Sequence, residues 1–449
     1  MKIHKLIYIL AIPAMLSLSC KKFLDVKPKG VIIAENFGDF DGLLNASGIV
    51  NPFGLNNMII YPTDDLNDIS FNLQSQSSPK GNGYFWYEYI NNTSVRPDLW
   101  ADIYSQIANL NVVTEGVLNA NDGTPQQRKQ LFAEAMVGKV FKYLHLISVF
   151  SPAYGKNTAD ADLGVPYVTS TDVSEAVPDR PSLRVQYQQL LNDLLTAIPD
   201  LPETNVNNTR ATKYVAYGLL SRMYMSMMDY ENALKYADLA LSSGKAAILD
   251  YNLYATGRLP QTNSNPEELF VRYVNNITFR YSDELLSKYD LINDLRIKLL
   301  ATKRSDGTYN YGSQQLYNPN RGITYAEIYL NKAECLARAG RVSDALDIVN
   351  NGIRKKRFPA NSYIALTATD TESAIVAVLG ERRRELAFKG VRWIDMKRLD
   401  KERRMPAVKR MSKDGTAVLT TLEPGSSAYT FQIPLMVQSF NANMPLNKR

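Results

Sequence analysis

Residues 214–244 read YVAYGLLSRMYMSMMDYENALKYADLALSSG, and their periodicity decides the fold. Apolar and small residues recur at helical spacing through two consecutive runs. With Tyr214 as position one of a 34-residue unit, Tyr217, Leu220, Ser221 and Tyr224 fall on the packing positions of a first helix. Ala233, Ala237 and Ala240 fall on those of a second. The same frame starts again at Ala326, in AEIYLNKAECLARAGRVSDALDIVNNGIRKK (326–356), and places Tyr329, Ala333, Leu336, Ala345 and Gly352 correspondingly. Small residues at these points let the two helices of a hairpin approach closely.

Together the two stretches resemble the tetratricopeptide pattern. Helical periodicity dominates three zones, from about Trp100 to Phe150, Leu183 to Ser243 and Gly322 to Leu399. In the first, Asn-Asp-Gly-Thr-Pro makes the turn and Pro125 suits the first position of the second helix. Between the zones lie polar, aromatic stretches at 30–99 and 244–321, too long for simple connections. The expected fold is mostly α, a tetratricopeptide-like helical-hairpin scaffold with long irregular loop insertions that carry the binding surface. Cys335, inside one of these helices, reads as a buried, inert thiol.

The first twenty residues have the layout of a secretory leader. Lys2 and Lys5 precede the apolar run Leu6–Leu18, which is shorter than the roughly 20 residues a membrane span needs. Small Ser17 and Ser19 flank its end, and Cys20 follows, so cleavage before Cys20 and acylation of that residue are expected. Ser17 stands where a strict lipobox has Leu. The expected organisation is a signal peptide at 1–19 and a body at 20–449, divided at about residue 182, with the insertion 244–321 in its second part. The formal charge of +6 becomes +4 once Lys2 and Lys5 are removed. The basic residues are interleaved with acids, which excludes a nucleic-acid surface.

Histidine occurs only at His4 and His145, and His145 lies in the apolar helix FKYLHLISVF as a packed core residue. There is no CxxC, HExxH or GxxxxGK[ST], so no cofactor or metal is expected. Asp64, Asp65 and Asp68 crowd one loop and Glu267 and Glu268 another. Such pairs suit glycoside hydrolysis or calcium binding, but their spacing does not pick an acid from a base. More informative are the 27 tyrosines against 15 phenylalanines, because sugar C–H faces pack on aromatic rings and hydroxyls seek amides and acids. The candidate ligand-binding residues are Asp64, Asp65, Asn82, Tyr84, Trp86, Tyr281, Tyr309 and Tyr311, with Asn310, Gln314 and Tyr317 beside the last pair. Read as a strand, YFWYEYI turns Tyr84 and Trp86 to one side and Phe85 and Tyr87 to the other. Trp86→Ala is then expected to abolish binding without unfolding the protein.

Further stretches resemble the RagB/SusD family. They are CKKFLDVKPKG after the leader, WADIYSQIANLN, RATKYVAYGLLSRMYM with DYENALKYADLAL, TYAEIYLNKAECLARAGRVSDALDIVNNGIRKKR, ERRRELAFKGVRWIDMKRL and YTFQIP. The resemblance implies a non-catalytic outer-membrane lipoprotein, anchored through Cys20 and facing outward. It would capture a nutrient, most readily an oligosaccharide, and deliver it to a SusC-like TonB-dependent transporter. It also implies that ERRRELAFKGVRW is structural, its arginines paired with acids such as Glu381 and Glu385. Of the binding residues it carries over only regions, the loop before Trp100 and the insertion before Gly322. Two other readings stand beside it: a gate or scaffold subunit of a peptide-importing transporter, and a glycoside hydrolase using Asp64 or Asp65.

Overall fold

The computed structural model describes residues 34–50, 58–68, 70–71, 78–272, 278–312 and 319–449. Cys20 with the leader, and Gln314 and Tyr317 of the insertion, lie outside the described residues. The helices used below are α1 (Phe37–Leu44), α2 (Pro79–Tyr84), α3 (Asp98–Gly116), α4 (Pro125–Phe150), α5 (Leu183–Ala197), α6 (Lys213–Ser226) and α7 (Tyr230–Leu241). They continue with α8 (Leu295–Leu300), α9 (Tyr325–Arg338), α10 (Val342–Asp347), α11 (Thr371–Glu385), α12 (Arg392–Lys401) and α13 (Leu435–Phe440).

The strands are short. β1 (Glu268–Phe270) pairs with β5 (Ile323–Thr324), β4 (Tyr309–Tyr311) lies between β2 (Phe279–Arg280) and β3 (Ala301–Lys303), and β6 (Val408–Met411) pairs with β7 (Val418–Leu422). All these pairings are antiparallel.

The hairpins follow the sequence pattern. α3 and α4 pack together across the turn at 121–124, where Thr124 and Gln127 form a reciprocal capping box and Pro125 opens α4. α6 packs on α7, α7 on α9, and α9 on α11. The close approach of α6 and α7 rests on Ala233, Ala237 and Ala240, each wholly buried, with Tyr224 stacked on Tyr236 at 5.5 Å. Gly340 closes the turn from α9 to α10 at φ +75°, a conformation that glycine adopts without steric cost.

A buried polar chain ties these helices together. Ser221 donates to the Ala233 carbonyl at 3.1 Å, Asn331 to Ser221 at 3.1 Å, and Arg382 to Asn331 at 2.7 Å. Arg382 also reaches Asp395, which accepts from Arg398, and Arg398 grips Glu334 with both terminal nitrogens. Every member is paired, so the network fixes helix register rather than leaving charges stranded.

Glu381 and Glu385 are buried acids, as expected for a structural segment, but most of their partners come from elsewhere in the chain. Glu381 binds Arg296, Arg354 and Arg384, and Glu385 binds Arg296 and Arg357. Arg382 and Arg383 reach outward to other acids instead.

These pairs set an acid response. Burial alone would raise Glu385 and Asp395, but Arg357 and Arg296 hold Glu385 down to about 2, and Arg382 and Arg398 hold Asp395 down to about 2. A carboxylate depressed by folding stabilises the fold fully above its unfolded pKa, near 4, and loses that contribution as pH falls through the folded value. Asp65, raised to about 6 by burial beside Asp64, acts in the opposite sense between about pH 4 and 6. The thermal midpoint is therefore expected to fall steeply from about pH 4 to 2. A midpoint flat across that window in a pH series would contradict the assignment.

His145 and Cys335 are interior residues. The His145 ring lies 2.8 Å from the Phe141 carbonyl, and burial pushes its pKa down to about 3. Burial pushes the Cys335 thiol up to about 12. No helix among the described residues is long and apolar enough to cross a membrane.

Candidate functional site

The segment 381–393, ERRRELAFKGVRW, holds both long loop regions in place. Arg392 donates from Nε and Nη2 to the two oxygens of Asp64 at 2.7 and 2.6 Å, and Arg383 donates to Asp65 at 3.1 Å. Burial favours the neutral acid at Asp64, but Arg392 and Arg383 override it and hold that carboxyl well below the usual range. Asp64 and Asp65 are thus buried ion-pair partners, held by arginines rather than free on a ligand-gathering loop. Glu267 is likewise engaged by Arg357, and Glu268 accepts from Asn320. On the insertion side, Phe388 stacks parallel on Phe279 at 5.5 Å and packs against Tyr281 at 5.0 Å and Tyr311 at 4.9 Å.

Several expected ligand contacts therefore lie in the interior. Tyr311, at the end of β4, and Tyr281, just after β2, are both buried. Tyr309 stays half-buried, with Lys303 over its ring at 5.8 Å. The YFWY run is not a strand. Tyr84 ends α2, Phe85 caps it, and Trp86 takes a left-handed conformation at φ 56°. The alternation expected of a strand is absent, and Tyr84, Phe85 and Trp86 all turn inward, each under 5 % exposed.

Their interior partner is Arg410 of β6. Its guanidinium lies 4.0 Å from the Tyr84 ring and 4.4 Å from the Trp86 ring. It donates to the carbonyls of Tyr61, Thr63, Leu66 and Tyr84 at 2.9 to 3.0 Å. Trp86 adds a bond from Nε1 to the Pro62 carbonyl at 2.8 Å. Two rings and four carbonyls thus enclose one cation, the arrangement that compensates burial of a charge without a carboxylate.

The part of this loop that faces outward begins one residue later. Tyr87 and Tyr89 are half-buried and Glu88 is exposed. With Asn82, Asn91, Asn92 and Leu435 they line an open pocket of 360 Å³. Asn82, one of the residues expected from sequence, is 3 % exposed and braces the pocket by donating to the Ile90 carbonyl at 2.9 Å. The Tyr87 amide donates to the Asn82 carbonyl at 3.0 Å, and the Gln432 backbone N–H donates to the Glu88 backbone carbonyl at 2.9 Å. Asn91 donates to the Arg96 carbonyl at 3.2 Å. Two aromatic faces beside amides and a carboxylate, on a loop fixed at several points, can stack on and hydrogen-bond a polyhydroxyl ligand.

A second cleft, of 330 Å³, joins the two loop regions. Asp64, Leu66, Asn67 and Tyr84 line it from the first, Ser282, Asp283 and Glu284 from the insertion, with β6 as a third wall. It brings Asp64 and Tyr84 together, with the Tyr84 hydroxyl already bonded to Asn67 at 3.2 Å. The pocket residues Tyr89, Asn91 and Asn92, of which Asn91 is buried, were missed among the sequence candidates. The signal that could have found them is Gly81–Gly83 in PKGNGY, where a short helix rather than a strand sets the direction of the rings that follow.

Comparison with known proteins adds kinship to this geometry. Residues 22–225 match a family described as starch-binding, associating with the outer membrane, and residues 222–434 match the SusD family. A SusD-like protein from Formosa agariphila is 23 % identical over 373 residues, covering 67 % of this chain and 71 % of that protein. A solved SusD superfamily structure from Bacteroides thetaiotaomicron superposes with a TM-score of 0.73 at 21 % identity, covering 92 % of this chain and all of the other. A SusD-like carbohydrate-binding protein from Bacteroides vulgatus gives 0.70 at 19 % identity, with 91 % and 97 % covered. The chain belongs to the SusD/RagB family.

Proposed function

We propose that this protein captures an oligosaccharide through the Tyr87/Tyr89 pocket and passes it to a SusC-like TonB-dependent transporter. The observation that carries the reading is the pair of half-buried tyrosine rings set among Asn82, Asn91 and Asn92 in one open pocket. Membership of a family described by starch binding at the outer membrane supports it, as does the likeness to a carbohydrate-binding relative. Acylation of Cys20 would hold the domain on the outer membrane beside that transporter, since two acyl chains give stable anchoring. The role asked of the protein is binding rather than turnover.

Each ring contributes about 1 kcal/mol beyond the area it buries, so two rings and a few hydrogen bonds fit an affinity between about micromolar and millimolar. That range suits a protein that must release what it captures. Calorimetric titration with plant, fungal and host oligosaccharides is expected to give saturable heat with one glycan class. Silence across the whole panel would contradict capture by the isolated protein.

A further inference from the structure

We propose that a third cavity, sharing no lining residue with the tyrosine pocket, binds a sulfate or carboxylate group carried on a saccharide. It has a volume of 700 Å³ and lies between the end of α12, the turn 424–430, the 152–153 segment that follows α4 and the carboxy-terminal tail. Four basic residues line it: Lys397, Lys401, Arg403 and Lys448. Among the described residues none of the four forms an ion pair with a carboxylate.

The two acids on the same wall are already engaged. Asp400 accepts the Gly425 backbone N–H at 2.8 Å, and Asp162 accepts the Thr158 hydroxyl at 2.6 Å. The side chains of Lys401, Arg403 and Lys448 make no hydrogen bond or ion pair among the described residues, and these three outnumber the two acids.

The interior wall adds an independent observation. Tyr429 lines the cavity, is 5 % exposed, and its hydroxyl has no hydrogen-bond partner. Its ring is fixed by stacking on Trp393 at 5.6 Å. A buried hydroxyl without a partner is costly, and a ligand oxygen would satisfy it.

Lys397, also buried, donates to the carbonyls of Ser148, in the last turn of α4, and Ser151, just past its end. Burial, with Lys401 nearby, lowers its pKa to about 7, so the fixed charge at the cavity comes from the other three basic residues. Complementing the α12 dipole explains Lys401, which closes that helix. It does not explain Arg403 or Lys448, which stand outside it. Arg403 moreover holds φ 60°, where glycine is the cheaper residue.

Anionic oxygens have the chemistry these donors seek, and the choice of a saccharide as carrier rests on the capture reading above. The test titrates the full-length protein in detergent with a sulfated galactan oligosaccharide and an oligogalacturonate. Their desulfated and methyl-esterified forms, inorganic sulfate and polyglutamate serve as comparisons. The charged saccharides are expected to bind at least tenfold more tightly than their neutral forms. Lys401→Glu with Arg403→Glu, at two exposed positions, is expected to remove that preference, and Tyr429→Phe to reduce it several-fold with the fold kept. Tyr87→Ala with Tyr89→Ala is expected to lower affinity for both forms and leave the charge preference in place, which separates failure of this site from failure of the capture reading. Equal affinity for charged and neutral forms, an unchanged preference in the charge-reversed variant, or inorganic sulfate competing as well as the saccharide would overturn the proposal. Tighter binding of polyglutamate than of either saccharide would replace it with an acidic-peptide site.

Discussion

Trp86→Ala is expected to destabilise the fold by about 3–5 kcal/mol, the range for deleting a buried large aromatic side chain. The truncation removes one wall of the Arg410 enclosure and leaves the Pro62 carbonyl without the donor it has at 2.8 Å. Arg410 has no carboxylate partner among the described residues. Burial already lowers its pKa to about 10, so the ring stack and the four carbonyls are its compensation. Chemical denaturation of the wild type and variant measures the loss. A midpoint unchanged within error would show that Trp86 is a surface residue after all, as YFWYEYI read alone suggests.

Glu381→Ala is expected to cost a similar amount, about 3–5 kcal/mol, because it breaks buried pairs by removing one partner. Glu381 is wholly buried and is the carboxylate partner of both Arg354 and Arg384, at 2.7 and 2.6 Å, while Arg296 keeps Asp294 and Glu385. Glu381→Gln keeps the volume and an acceptor oxygen, so it should fall between the wild type and the alanine variant. An alanine variant as stable as the wild type in the same denaturation experiment would mean that these arginines find water, and that the network contributes little.

The helical scaffold was legible because its signals are local. Ala233, Ala237 and Ala240 recur at hairpin spacing, and the Thr-Pro pair that starts α4 is a start signal within two residues. The aromatic loops were not legible, because the partners that turn their rings inward are distant in sequence. Arg410 lies more than three hundred residues from Trp86, and Arg383 and Arg392 are equally far from Asp64 and Asp65. A sequence reading can find an aromatic loop, but burial of each ring is decided by those far partners. Asn82 shows the same limit: it lines the open pocket, but its amide is spent bracing the loop at the Ile90 carbonyl.

The decisive measurement is calorimetric titration of one responsive glycan into the wild type, Tyr87→Ala with Tyr89→Ala, and Trp86→Phe. Capture through the outward-facing rings predicts at least a tenfold weaker affinity in the double variant, with its thermal midpoint close to the wild type. It predicts near wild-type affinity in Trp86→Phe despite a lowered midpoint. Full affinity in the double variant, or loss of binding confined to Trp86→Phe, would contradict it.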